Sequence, residues 1–503
     1  MTKKSIHACF LLLLAAWGMA SCSGLPPAGR TLERKPPVFP DYTDVTIPYN
    51  IAPLHFKLVD SCDYEQAYAT FEAEGKQTVK VKAQNGQFAV SRTAWKKLMD
   101  GAAGQTLRVT VTVRTNGEWV AYAPFHWPVA QEPADPYIVY RLIEPGYEVW
   151  NEMGIYQRHL ENFRESAIVT NRQTQFNCMN CHSFCMQHPE KMLFHMREGF
   201  PCTVLIDGDR MEKLNTKTDQ TLSALVYPSW HPSGRYVAFS VNNTKQTFHT
   251  TSRNRIEVFD LASDVVVYDV EKHEIITVPE LSSPEAFETF PAFSPDGRTL
   301  FFCSSDTFGM PEEYASVKYS LCSIPFDPER RGFGTQVDTL FHAGRHQKSV
   351  SFPRVSPDGK FLMFTLAGYG TFSIWHRDAD LYLLNLSDGS VNPLDALNSD
   401  EVESYHSWSS NSRWVVFSSR RMDGLYTRPY LAHINADGVA SKPFLLPQKD
   451  VDFYRYFMKS CNIPEFVTGK VRTRGFVVSR KVRNDKGIDV TFAGTGRSDR
   501  IPD

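Results

Sequence analysis

Four passages decide how this chain folds: Tyr227-Pro-Ser-Trp-His-Pro-Ser-Gly-Arg-Tyr-Val-Ala-Phe-Ser240, Phe290-Pro-Ala-Phe-Ser-Pro-Asp-Gly-Arg-Thr-Leu-Phe-Phe-Cys303, Phe352-Pro-Arg-Val-Ser-Pro-Asp-Gly-Lys-Phe-Leu-Met-Phe-Thr365 and Tyr405-His-Ser-Trp-Ser-Ser-Asn-Ser-Arg-Trp-Val-Val-Phe-Ser418. Each reads as a strand, a tight turn and a second strand. The turn positions Gly234, Gly297, Gly359 and Ser412 follow one another at 63, 62 and 53 residues. Proline presets φ in such turns, and glycine supplies the permissive corner. The fourth copy has Ser410, Asn411 and Ser412 in place of Pro-Asp-Gly, which predicts a looser turn. Further strand-like runs follow, such as Ile256 to Leu261, Val265 to Val270 and Leu381 to Leu386. The count comes to about four strands per unit, which is a propeller blade.

The aromatic-Ser-Pro-Asp-Gly-Lys/Arg pattern resembles the TolB-like, WD-type propeller repeat over roughly residues 200–470. The resemblance implies a β-propeller, and five or six blades are expected. Thr203 to Asp207 and Gly475 to Ser479 are strand-like and are expected to pair, closing the ring from both chain ends. The repeat itself explains Asp296 and Asp358 as turn-holding residues and Trp230 and Trp408 as core.

Residues 31–130 read as a separate β-sandwich of immunoglobulin-like type. Leu107, Val109, Val111 and Val113 alternate along one strand, and Asn116-Gly117 then makes a hairpin turn. The fold class is therefore mainly β. An N-terminal sandwich is followed by a short helical or irregular cysteine-rich segment (131–200), a propeller (201–480) and a flexible tail (481–503). In the middle segment, Ile155 to Phe163 and Pro189 to Gly199 are predicted helices, the second with proline at its start and glycine at its end.

The N-terminus reads as an export signal over residues 1–21. Lys3 and Lys4 precede an apolar stretch from Ala8 to Met19, and small residues follow. Met19-Ala20-Ser21-Cys22 resembles the lipobox of bacterial lipoproteins, which implies a lipidated Cys22 and a flexible tether over 22–30. The expected location is the periplasmic side of a membrane, with the outer membrane preferred. Net charge is −2, so nothing in the whole-chain balance suggests a nucleic-acid or anionic-membrane surface.

Ten cysteines occur; Cys9 and Cys22 belong to the N-terminal segment, and eight remain. Cys178-Met179-Asn180-Cys181-His182 matches C-x-x-C-H, the c-type haem attachment signature. In that reading Cys178 and Cys181 form thioethers to the haem and His182 is the proximal iron ligand. His195 is the favoured distal ligand, with Met192 and Met196 as alternatives on a predicted helix. Cys185 and His188 lie close by, so a zinc site of three thiolates and one imidazole is a competing reading. Disulfides, Cys178–Cys181 or Cys185–Cys202, are a third. The lipobox, β-domain, haem-type motif and TolB-like repeats together look like a group of exported Bacteroidetes lipoproteins.

Two functions follow as expectations. One is electron transfer through a single c-type haem to a periplasmic redox partner. The other is a non-catalytic TolB-like propeller that binds a protein or glycan, its cysteines holding zinc or disulfides. No catalytic constellation is identifiable, and a hydrolase lacks any Gly-x-Ser-x-Gly elbow.

Replacing the lipobox cysteine, Cys22→Ser, should abolish incorporation of an alkyne-labelled fatty acid and free the body from the membrane fraction. Labelling that persists would place the acylation elsewhere.

Overall fold

The computed structural model describes residues 28–59, 63–144, 151–252 and 254–493. The signal segment, Cys22, Cys62 and the tail beyond residue 493 lie outside the described residues.

The N-terminal domain pairs two sheets. The larger is built on Thr106–Thr115, flanked by Gln66–Glu72 and Glu118–Ala121; the smaller comprises Val38–Phe39, Phe56–Leu58 and Gln87–Phe88. Leu107, Val109, Val111 and Val113 are all buried, as the alternation requires. Asn116 and Gly117 both have positive φ, 52° and 79°, the conformation of a two-residue hairpin turn. Helix α1 (Arg92–Met99), capped by the Ser91 side chain, adds Trp95, Leu98 and Met99 to this core.

The rest of the chain forms six sheets whose inner strands contact one another in a closed ring. Blade 1 is Ser460–Val467, Tyr137–Ile143, Gly154–His159 and Glu165–Thr170, counted from the axis outward. The inner strands of blades 2 to 6 are Cys178–Phe184, Val226–Trp230, Ala286–Phe293, Ser349–Val355 and Glu403–Trp408. The ring closes within blade 1, where the late strand Ser460–Val467 pairs antiparallel with the early strand Tyr137–Ile143.

This architecture corrects several expectations. The propeller begins near residue 137, so the segment 131–200 is no linker: it supplies three strands of blade 1 and the first strands of blade 2. Gly154–His159 and Lys191–Arg197 are strands within the two predicted helices. Lys191–Arg197 is buried on both faces between neighbouring blades, and such a strand has no alternation to reveal it. Gly475–Asn484 is helix α2 rather than the closing strand. Within the expected flexible tail, Ile488–Asp489 and Thr491–Phe492 add parallel edges to blades 2 and 3.

The turns carry the repeat. Gly234, Gly297 and Gly359 have φ of 70°, 72° and 71°, and Ser412 has 63°. In blade 4 the Asp296 carboxylate accepts from Ser294 Oγ (2.5 Å) and Arg298 N (3.0 Å). Asn411 Oδ1 does the same for Ser409 Oγ (2.6 Å) and Arg413 N (3.1 Å). The fourth turn is therefore as tight as the others, because asparagine offers the same acceptor and tolerates this geometry.

The N-terminal domain docks on blade 6. Trp414, wholly buried, donates its indole N–H to the Glu132 carbonyl (3.0 Å), and Ser410 N donates to Asp135 (2.7 Å). Phe466 on the closing strand is 0% exposed and belongs to the core cluster that spans both domains. Phe466→Ala should cost about 3–5 kcal/mol, read as a lowered urea midpoint. A loss under ~1 kcal/mol would contradict this closure.

Candidate functional site at the propeller axis

One local device recurs in every inner strand. Cys181, Tyr227, Phe290, Phe352, Tyr405 and Ile463 all have positive φ, between 49° and 55°. At each of them the register with the second strand slips, a β-bulge. The residues that follow are His182, Pro228, Pro291, Pro353, His406 and Pro464. Cys181-His182-Ser183-Phe184 therefore stands where blade 6 has Tyr405-His406-Ser407-Trp408.

The bulge residues meet on the axis. Phe290 and Phe352 ring centroids are 4.2 Å apart, Tyr227 and Phe290 4.6 Å, and Phe352 and Tyr405 4.9 Å. This aromatic cluster plugs the centre of the ring. Between Cys181, His182, Tyr405 and Glu465 remains a chamber of about 30 Å³, room for about one water molecule.

Above it, on the face of the Pro-Asp-Gly turns, a funnel of about 130 Å³ opens between Trp230, Phe293, Trp408 and Phe466, with Pro232, Pro295 and Pro357 in its wall. The residues two beyond each bulge line it: Ser183, Ser229, Ala292, Arg354, Ser407 and Glu465. Four of the six are small; Arg354 and Glu465 carry the chemistry. Glu465 Oε2 accepts from Phe184 N (3.1 Å). Burial pushes its carboxyl up to about 8 against the opposing pull of Arg354. The Arg354 guanidinium donates to the Pro353 carbonyl (3.1 Å) and forms no ion pair with a described carboxylate. Burial lowers its pKa, with Glu465 acting in the other direction. Trp230 and Trp408 hold the wall by donating to the Ser183 and Arg354 carbonyls, at 3.3 and 3.1 Å.

Sequence reading missed Arg354 and Glu465. The available signal was a charged residue at a repeat position otherwise held by serine or alanine.

The cysteine segment lies differently from its expectation. His182 is 2% exposed, and burial drives its imidazole pKa down to about 3. Its ring faces the backbone of Val139 and Ile463 in blade 1, though neither nitrogen has a hydrogen bond of good geometry. His406 makes the equivalent approach to its neighbour, with Nε2 3.0 Å from the Met363 carbonyl and Nδ1 unpartnered. Both histidines thus fill the slot that proline fills in the other four blades.

His195 lies on the other side of its sheet, 3.4 Å from Thr203 Oγ1, whose hydroxyl adjoins Thr216 on the blade 3 side. On this strand Met192 and Met196 point away from His195 into the core shared with blade 1. The shared helical face expected for these three residues does not exist.

Of the three predicted haem residues, Cys181 and His182 line the axial chamber and Cys178 does not. The chamber beside Cys181 and His182 is an order of magnitude smaller than the ~300–1,000 Å³ of a site for a large ligand. The four residues of the zinc reading do not converge: among the described residues no three His, Cys, Asp or Glu side chains come together as a metal-holding group. Cys185 Sγ points at the His231 carbonyl (3.8 Å), while His188 is exposed and caps Glu190 N (3.3 Å). All seven described cysteines are buried free thiols.

No family model matches the chain, and no curated protein matches it. Among solved structures it is similar to a periplasmic gluconolactonase of Pseudomonas aeruginosa (12% identity, 66% of this chain and 99% of that one, TM-score 0.37). It is also similar to a puromycin-hydrolyzing peptidase of Mycobacterium tuberculosis (11%, 80% and 57%, TM-score 0.33) and an endo-arabinanase of Bacillus licheniformis (10%, 50% and 93%, TM-score 0.30). The chain spans little more than half the peptidase's length. Its class is that of the β-propellers, read from its own strand pairing.

If His182 is a blade residue, His182→Pro should fold normally and stay within about 1 kcal/mol of the parent in urea melts, since proline fits where the backbone already suits it. Collapse of the fold would contradict the equivalence with the proline-bearing blades.

Proposed function

We propose that this protein is an exported, lipid-anchored, non-catalytic propeller of TolB-like type that binds a partner through the axial funnel on its turn face. The observation that carries the reading is Arg354, a guanidinium facing a funnel walled by tryptophan, phenylalanine and proline, without an ion-pair partner among the described residues. A half-buried cation of this kind favours a carboxylate, which it can hold with charge-assisted hydrogen bonds. The aromatic and proline wall suits the apolar part of an acidic peptide or the face of a uronic acid. The small volume admits one such group, so the rest of the partner lies across the turn face. The small chamber beside Cys181 and His182, which Cys178 does not line, favours binding over electron transfer.

Glu465 sets the pH range. With its carboxyl held near 8, it is neutral at pH 7 and leaves Arg354 as the net charge of the funnel floor. As pH rises through about 8, Glu465 ionises and repels an incoming carboxylate.

Titration of Trp230 and Trp408 fluorescence with a glutamate-containing tetrapeptide and with glucuronate tests the reading and separates a protein from a glycan partner. Arg354→Ala should weaken binding at least about 10-fold, the ~1.5–3 kcal/mol of a hydrogen bond to a charged group. Affinity should fall above pH 8 in the parent and stay flat in Glu465→Gln. Failure of both probes to bind, or equal binding by Arg354→Ala, would refute the carboxylate site.

A further inference from the structure

Helix α2 (Gly475–Asn484) belongs to no blade. Its inner face is fixed: Val478 and Val482 are 0% exposed, and Ser479 Oγ donates to the Gln173 carbonyl. Lys213 Nζ donates to the Val482 carbonyl at 2.8 Å, tying the helix to blade 2. The outer face is unusual. Phe476 is 60% exposed and Val477 41%, and both lie in the first turn. Phe476, Arg480 and Arg483 follow at i, i+4 and i+7, so they form one outward stripe.

The flanks extend this charge. Residues 470–486 hold seven cations (Lys470, Arg472, Arg474, Arg480, Lys481, Arg483, Lys486) and one anion, Asp485, within a chain of net charge −2. Among the described residues only Lys481 of the seven is ion-paired, to Asp485 at 2.6 Å. A charge run is ordinarily a solvated face. Here two large apolar side chains protrude from its midst, which solvation alone does not favour. An exposed aromatic among unpaired arginines on a preformed helix is the pattern of an interfacial contact with an anionic bilayer.

We infer that helix α2 and its basic flanks form a peripheral membrane-binding surface, with Phe476 and Val477 inserting at the headgroup level and the arginines contacting anionic phospholipid. The surface is separate from the axial funnel and does not depend on the carboxylate reading. It would act with the lipid on Cys22, since one anchor plus a polybasic patch holds far better than either alone. It also fixes how the body lies, with the blade 1–blade 2 edge toward the bilayer.

The test uses the unlipidated body, residues 23–503, which contains every described residue. Flotation is measured with vesicles of phosphatidylcholine alone and with added phosphatidylglycerol. The body should bind the anionic vesicles and not the neutral ones, and binding should weaken with salt. The Arg480→Ala/Arg483→Ala pair should bind about 25-fold more weakly, taking about five-fold per cation near the surface. Phe476→Ser should also weaken binding with no change in thermal unfolding. A separate pair, Arg472→Ala/Arg474→Ala, guards against a local folding defect. Equal flotation on neutral vesicles, no flotation on either, or parental binding by both arginine pairs would overturn the inference. So would retention on heparin combined with no vesicle binding, which would assign the surface to a polyanion.

Discussion

The molecule depends on one backbone constraint, repeated six times: a bulge in each inner strand that holds a non-glycine residue at positive φ. Such conformations cost of order 1–3 kcal/mol each, and the β-branched Ile463 is the least suited to one. The surrounding blades hold them in place. In four successive copies the bulge turns an aromatic side chain toward the axis, where each ring packs within 5 Å of the next. The plug they form separates the two faces of the propeller. A ligand on the turn face therefore meets a floor, and that floor is where Arg354 and Glu465 stand.

The same constraint explains the cysteine motif. Cys181 holds the bulge position and His182 the position after it, so half of C-x-x-C-H is a blade repeat written in different residues. Spacing alone could not reveal this. The signal in the sequence is the likeness of Cys181-His182-Ser183-Phe184 to Tyr405-His406-Ser407-Trp408. It was hidden because blade 2 lacks the Pro-Asp-Gly turn. Its inner strand leads into Cys185–Gln187, a short 3-10 turn with Met186 at φ 47°. Of the four repeats that did show, three carry proline and glycine in the turn, and the fourth keeps the flanking aromatic residues and the Ser-Arg frame.

Burial on both faces hid other elements. Lys191–Arg197 reads as helix because an apolar run between proline and glycine suits either structure. The closing strand Ser460–Val467 carries Ile463-Pro464, a bulge signature, but its partner lies more than three hundred residues earlier in the chain. The hairpin at Asn116-Gly117 was legible because its information is local. Arg354 and Glu465 were not, since they come from blades 5 and 1 and meet only when the ring closes. The basic helix was local but masked, because a net charge of −2 averages seven clustered cations away.

Cys181 and His182 are structural members of blade 2. The most direct measurement is the intact mass of the protein purified from cells with active c-type haem maturation, after denaturation and alkylation. Blade membership predicts a polypeptide without haem in which Cys178 and Cys181 both take the alkylating group. A mass raised by one haem, with those two thiols unavailable, would contradict it.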